Sequence, residues 1–319
     1  MCKNNEINLL MQCPVCQGND ISSSDTNYFC EKCQTRFPVF NNVPIMINDS
    51  NSLFKTSEYL KEGVKSDLSA SFKGNFFVPS LSTNFSFNRI MLDLKNRLNL
   101  DVPANILVIG AGLQANKISL ILNKSNKHNL VFTDVDIAAN INIICDAHNL
   151  PFKNDKFDAV ITTAVLEHVI QPDIVVSEIV RVLRQDGYIY SEIPFIQQVH
   201  EGAYDFTRYT ATGHRRLFNR FNEIEVGIVA GPGTSLAWTL ENFFLSLIPA
   251  NFLYFRKFFK IITRFSFFWL KYFDYYFINI KECIDSASCT FFYGTKAKSA
   301  ISDDMIISRY EGAKKFRHL

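Results

Sequence analysis

The 319-residue sequence predicts an α/β protein built on an open, mostly parallel sheet, and three observations carry that expectation. A short apolar run, Ile106-Leu107-Val108-Ile109, meets Gly110-Ala111-Gly112, and a helix-like segment follows. A second run, Leu130-Val131-Phe132, ends at Thr133-Asp134. Further runs with polar ends come next, at Ile144-Cys145-Asp146, at Phe157 to Ile161 and at Tyr188 to Ile193. Parallel strands that finish in turn glycines and acids form a nucleoside crevice at their carboxyl ends.

The glycine turn alone is weak evidence, because any tight βα connection can use it. A pyrophosphate-binding turn needs a third glycine for close backbone approach. Gln114 stands two residues past Gly112, so a nucleoside without phosphates fits better. The order of later motifs narrows the choice. Asp146-Ala147-His148-Asn149-Leu150-Pro151-Phe152 is followed by Phe157-Asp158-Ala159-Val160 and Leu166-Glu167-His168-Val169, then Leu183-Arg184-Gln185-Asp186-Gly187. This set resembles the class I S-adenosylmethionine (SAM)-dependent methyltransferases, and the later segment Pro194-Phe195-Ile196-Gln197-Gln198-Val199-His200 with Tyr204-Asp205-Phe206-Thr207-Arg208-Tyr209-Thr210 resembles the methyltransferase type 11-like domains of bacterial surface-polysaccharide gene clusters. The resemblance spans about residues 104–296. It implies a Rossmann-like, seven-stranded methyltransferase sheet with SAM as cofactor. It further implies that Gly110 and Gly112 pass under the amino-acid part of SAM and that Asp134 bonds the ribose hydroxyls, with Asp136 a second candidate. Asp146, beside Ala147, is implied near the adenine amino group. The family often carries an acid two residues before the first glycine, where this chain has Val108.

Near the amino terminus, Cys13-Pro14-Val15-Cys16 and Cys30-Glu31-Lys32-Cys33 enclose a 13-residue loop. Each CxxC turn aims two thiolates at one ion, and two turns complete a tetrahedron. Four thiolates leave no open coordination position, so the expected Zn2+ is structural, and its removal is expected to spare SAM binding. Arg36 to Ile47 reads as two short strands around Asn41-Asn42. With the cysteines it resembles the small zinc ribbons associated with methyltransferases. Residues 1–50 hold three basic side chains against five acidic ones, which argues against nucleic acid as the ribbon's partner. The expected organisation is a ribbon over 1–50, a Ser/Asn-rich linker over 51–83, a methyltransferase domain over 84–298 that opens with a helix from Asn84 to Leu98, and a tail over 299–319.

After the fifth expected strand comes Pro194-Phe195-Ile196-Gln197-Gln198-Val199-His200, and then Tyr204-Asp205-Phe206-Thr207-Arg208-Tyr209-Thr210. A loop at this place faces the acceptor. His200 is the expected general base, with Asp205 as its orienter or alternative. Arg208 and Tyr209 are expected to bind a sugar or phosphate of the substrate. His168 is read as a packing residue early in a helix.

Strands at Glu225 to Ala230 and Cys289 to Lys296 complete the expected sheet, with an apolar helical insertion over about 234–285 before the last. Many of the 30 phenylalanines cluster there. In a helix from Leu253, the cations Arg256, Lys257, Lys260, Arg264 and Lys271 fall within about 100° of arc and aromatic residues fill the rest. That pattern predicts a helix over 253–277 lying in an anionic membrane surface. A net charge of +2 gives the chain no general call for nucleic acid. No secretory signal or spanning segment is read, and two CxxC pairs suit a reducing compartment, so the expected location is cytoplasmic and peripheral on the inner membrane face. The expected activity is methyl transfer to a glycan or glycolipid intermediate, small or lipid-linked. An RNA methyltransferase with a zinc module, a quinone or lipid methyltransferase, and a non-catalytic binding protein on the same fold are the alternatives. The oligomeric state is not legible.

Overall fold

The structure is a computed structural model and describes residues 7–61, 78–98, 102–123, 127–137 and 140–313. Residues 62–77, within the segment expected as a linker, and the end of the tail, residues 314–319, lie outside these.

The amino-terminal part is a small antiparallel sheet in the order β1 (Ile21–Ser23), β2 (Asn27–Cys30), β3 (Arg36–Phe40), β4 (Val43–Pro44). Asn41 and Asn42 join β3 to β4 with φ of 50° and 64°, the left-handed pair that a two-residue hairpin needs to match strand twist. Asparagine adopts that conformation more readily than most residues.

The main sheet has seven strands, in the order β10-β11-β9-β8-β5-β6-β7. Their ranges are β5 Asn105–Ile109, β6 Asn129–Asp134, β7 Ile143–Ile144, β8 Phe157–Thr163, β9 Leu183–Pro194, β10 Phe221–Ala230 and β11 Cys289–Lys296. Strands β5 to β9 pair in parallel, and β11 lies antiparallel between β9 and β10. The order turns back between β5 and β8, and a crevice opens at such a switch point. Helix α1 (Phe87–Arg97), α2 (Ala115–Leu122), α3 (Pro172–Val182) and α4 (Ala211–Leu217) cover the sheet. Alternation along β5 shows why both faces are covered. Ile106 and Val108 join one buried cluster with α1 and α2, whereas Leu107 and Ile109 join another with α3. Val108 is thus a core residue facing helices, which accounts for an apolar side chain at that position.

The ribbon packs into the same cluster as α3 through Met11, Cys13, Tyr28, Cys30, Phe37 and Met46. Met46 N–H donates to the Ile144 carbonyl at 2.8 Å, and Ile45 bridges Ile144 in parallel, so the ribbon continues the main sheet past its short edge strand. Covering an edge in this way removes a row of unpaired backbone groups.

The insertion folds as α5 (Pro232–Ser246), α6 (Leu253–Phe267), a tight 3-10 turn at Phe268–Phe273 and a short helix at Asp274–Phe277. Asp274 is fully buried and accepts N–H bonds from Gly231, Gly233 and Thr234, plus the Thr234 hydroxyl. A carboxylate there satisfies the orphan donors of the α5 amino terminus and opposes its dipole. A side chain at Gly233 would put its Cβ 2.2 Å from the Leu270 carbonyl oxygen, so glycine is required.

The expected continuous cationic stripe does not form. The helix stops at Phe267, and three of its five cations turn toward the protein. Arg256 donates to the carbonyls of Leu245 and Ile248 beyond the end of α5, and Arg264 bonds the buried Glu241 at 3.0 Å. Lys271 is buried and donates to Ser80 O at 2.7 Å. Only Lys257 and Lys260 stay exposed. The physical reason is that the carboxyl end of α5 offers carbonyls with spare acceptor capacity, and α5 carries a buried acid that needs a donor. The aromatic side faces outward instead: Tyr254 is 90% exposed, Phe258 57% and Phe265 52%. Among the described residues no helix is long and apolar enough to cross a membrane.

Candidate active site

A pocket of about 450 Å³ opens at the carboxyl ends of β5, β6, β7 and β8. That volume lies within the ~300–1,000 Å³ usual for small-molecule sites. Gly110, Asp134, Asp146 and Ala147 line it, together with Phe54, His148, Val165, His168 and Tyr204.

Each lining residue has a local cause. Gly110 takes φ +64°, and a Cβ there would lie 2.2 Å from Val165 Cγ2, so only glycine lets the turn pass. Gly112 does not line the pocket; its N–H donates to Asp134 Oδ2 at 2.9 Å. Asp136 N–H donates to Asp134 Oδ1 at 3.1 Å. Asp136 itself stands beyond the strand end and does not line the pocket. Burial pushes the Asp134 carboxyl up, and these two bonds oppose the shift. Each oxygen keeps acceptor capacity for a ligand hydroxyl.

Asp146 is more fully engaged. It accepts from His148 N–H at 3.0 Å, meets His148 Nδ1 at 2.7 Å and accepts from Ser52 Oγ at 2.5 Å. Burial raises its carboxyl, but the bonds from His148 and Ser52 outweigh that and hold it below the usual range. Ser52 and Phe54 come from the segment expected as linker, and no sequence signal pointed to them.

The ribbon reaches the same corner. The Pro14 carbonyl accepts from Asn149 Nδ2 at 2.5 Å and from Asn48 Nδ2 at 3.3 Å. Asn149 sits three residues after Asp146. The ribbon thus packs on the methyltransferase domain, and its first cysteine turn is bonded to Asn149, next to the pocket-lining His148.

The four cysteines converge. Cys13 and Cys33 sulfurs lie 3.6 Å apart, as do those of Cys16 and Cys30, and all four fall within 4.8 Å of one another. The two turns repeat one geometry, each followed by a left-handed glutamine, Gln17 at φ 55° and Gln34 at φ 60°. Sulfurs so spaced fit a tetrahedral ion with bonds of ~2.3 Å.

Beyond the pocket stands the loop from Phe195 to Thr210. Phe206 N–H donates to the Glu167 carbonyl at 2.8 Å and ties it to the turn after β8. That turn begins at Ala164 with φ +54°, an unfavourable conformation for alanine that surrounding contacts must hold. Residues 166–170 form a turn, not the expected start of a helix, because α3 begins at Pro172. Proline at the first helical position is a start signal that could have placed the boundary correctly.

Within the loop, Asp205 pairs with Arg208 and accepts the His200 backbone N–H at 2.9 Å. The Arg208 guanidinium holds the Asp205 carboxyl well below the usual carboxylate range. All five N–H groups of Arg208 are engaged: with Gln197 O, Gln198 O, Thr207 O and both oxygens of Asp205. None is left for a substrate, so the expected substrate contact gives way to a clamp on the loop. Tyr209 packs against the core and Gly213 and does not line the pocket.

His200 Nε2 lies 3.1 Å from His168 Nε2. Between them and the core sits Glu167, whose carboxylate is fully buried and has no hydrogen-bond partner among the described residues. Burial pushes its carboxyl up to about 8. Sequence reasoning missed Glu167; an acid inside an apolar run was the available signal.

Residues 107–191 match a family model described as a methyltransferase domain. No curated protein matches the chain. Similar solved structures include a chain of the complex formed by the Haloferax volcanii Trm112 methyltransferase activator, with 14% identity, 68% of this chain and 96% of that one covered, and a TM-score of 0.42. Another is YcgJ of Bacillus subtilis, with 17% identity, coverages of 66% and 100%, and a TM-score of 0.38. A third is phosphoethanolamine N-methyltransferase 2 of Haemonchus contortus in complex with SAM, with 17% identity, coverages of 70% and 55%, and a TM-score of 0.40. At that level of likeness nothing about substrate or partner transfers. The family match runs from within β5 to within β9 and includes the strand ends that line the pocket, so residues 107–191 carry a methyltransferase domain.

Proposed function

We propose that the protein binds SAM across Gly110, Asp134, Asp146 and Ala147 and methylates a glycan or glycolipid intermediate at the cytoplasmic face of a membrane. The supporting observation is a continuity of surfaces. His168 lines the pocket and stands 3.1 Å from His200, and the loop carrying His200 is bonded to the insertion through Gln198 Nε2 and Thr239 Oγ1 at 3.1 Å. The insertion then presents its outward aromatic side. An exposed aromatic and aliphatic surface of this kind suits the boundary of headgroups and acyl chains.

SAM supplies an already activated methyl group. The protein's task is to align an acceptor oxygen and assist loss of its proton. His200 is the proposed group for the proton, with Asp205 holding its backbone and facing Nδ1 at 3.4 Å. Arg208 keeps the loop in shape, and Tyr209 anchors its end on the core. The cysteine cluster is proposed to hold structural zinc.

Two measurements test this reading. Protein incubated with labelled SAM and lipid-linked glycan fractions should add one methyl mass to a glycan species, and unlabelled fractions throughout would refute the substrate class. In flotation with anionic vesicles the protein should rise with lipid, and changing Tyr254, Phe258 and Phe265 together to serine should release it. A parent protein that ignores vesicles would remove the membrane from the account.

A further inference from the structure

We propose that Glu167, His168 and His200 form a binding site for one divalent transition-metal cation at the acceptor end of the pocket. One carboxylate oxygen and two imidazole nitrogens converge there: Nε2 of His168 and of His200 stand 3.1 Å apart, and Glu167 Oε1 lies 3.6 Å and 4.0 Å from them. Ligands of one ion with bonds of ~2.0–2.2 Å stand about 3.0–3.5 Å from each other, so a small inward movement of the Glu167 side chain closes the set.

The tautomers point the same way. His168 Nδ1 faces the Tyr204 carbonyl at 2.8 Å, an oxygen that can only accept, so Nδ1 carries the proton. His200 Nδ1 faces the Gln198 carbonyl and Asp205 Oδ2, both at 3.4 Å, and carries its proton for the same reason. Both Nε2 atoms then present lone pairs to each other, beside a buried carboxylate with no donor. Two lone pairs and a carboxylate converging on one point offer three donor atoms to a single cation, which would also favour the ionised carboxylate. A carbonyl behind one histidine and a carboxylate behind the other is also the outer arrangement that orients metal-binding imidazoles.

The donor set decides the class of ion. Two imidazoles and one carboxylate suit zinc, iron(II) or manganese(II) and leave further positions open. His168 lines the SAM pocket, so an open position faces the space where an acceptor must stand. A cation there would polarise an acceptor hydroxyl and lower its pKa, so His200 would assist loss of the acceptor proton by holding the ion instead of taking the proton on Nε2 itself. That role rests on the methyl-transfer reading; binding of the ion does not.

The test separates the two. Full-length protein is first given one equivalent of zinc per chain, which its four thiolates take up, and dialysed. It is then titrated with manganese(II), followed by the loss of the free-ion paramagnetic resonance signal, with no SAM or acceptor present. One manganese per chain is expected. Removing a ligand should cost at least the ~10–100-fold typical of lost outer partners, in His200→Ala and in Glu167→Gln alike. His200→Ala changes a loop residue, and retained SAM binding by that variant verifies its fold. Absence of a second ion under titration with manganese(II), iron(II) and zinc(II) in turn overturns the proposal and leaves the two imidazoles sharing a proton. Equal affinity in parent and both variants overturns it as well.

Discussion

Two clusters of metal-type ligands stand on opposite sides of one pocket wall, and they are built differently. The cysteine cluster draws four equivalent thiols from two copies of one turn and is closed. The Glu167–His168–His200 cluster draws one carboxylate and two imidazoles from two separate segments, and His168 lines the pocket. Four donors satisfy a tetrahedral ion and leave chemistry no access, whereas three leave room for a substrate oxygen. In the proposed reading the first cluster braces the pocket corner through Pro14, and the second adjoins the pocket through His168. The difference also sets their legibility. CxxC spacing is local, so both turns can be read from the sequence. The histidines are 32 residues apart, and only the return of the loop onto the turn after β8 brings them together.

The largest expected effect breaks the comparison on its closed side. Structural zinc contributes about 10–16 kcal/mol in small cysteine modules. Cys30→Ser should therefore disorder the ribbon, and hydrogen exchange should rise across residues 13–46. Because Pro14 is bonded to Asn149, SAM affinity should fall too. A ribbon that opens while SAM binding stays unchanged would show that the bond at Pro14 is incidental.

On the open side, His200→Ala should lower methyl transfer by about 10²–10⁴-fold, the range for loss of a group that moves the acceptor's proton. Stability and SAM affinity should change little, since His200 projects from a surface loop. Single-turnover assays with a methylated product as readout check this. Full turnover by the variant would return His200 to a merely structural role.

The smallest effect concerns the clamp. Arg208→Lys replaces five fixed donors with three mobile ones. It should loosen residues 197–208 by about 1–3 kcal/mol, as lost charge-assisted bonds do. Hydrogen exchange should rise there and nowhere in the sheet, and turnover should fall less than in His200→Ala. Equal exchange in both proteins would mean that backbone bonds alone hold the loop.

Much of the fold was legible because strand ends in this sheet are punctuated by glycines and acids at characteristic distances. The runs at Ile106, Leu130 and Phe157 each became a parallel strand, and the pocket opened at their ends. Other features resist sequence reading for physical reasons. Periodicity in Leu253–Phe267 separates a polar side from an aromatic one, but it cannot say which side turns inward. Here Glu241 and the carbonyls at the carboxyl end of α5 drew Arg256 and Arg264 in and left the aromatics out. Arg208 reads as a substrate ligand from its neighbours, yet its donors are all consumed by the Asp205 carboxylate and by carbonyls that only the folded loop presents. Ser52 reaches Asp146 from 94 residues away, and nothing in its local sequence marks it.

The central claim is that the pocket at the ends of β5 to β8 binds SAM with Asp134 as its anchor. Calorimetric titration of SAM into the zinc-loaded protein tests it most directly. One SAM per chain is expected. Asp134→Ala should weaken binding by roughly 10–100-fold, corresponding to the ~1.5–3 kcal/mol of hydrogen bonds to a charged acceptor. No heat and no saturable binding by the parent protein would contradict the account.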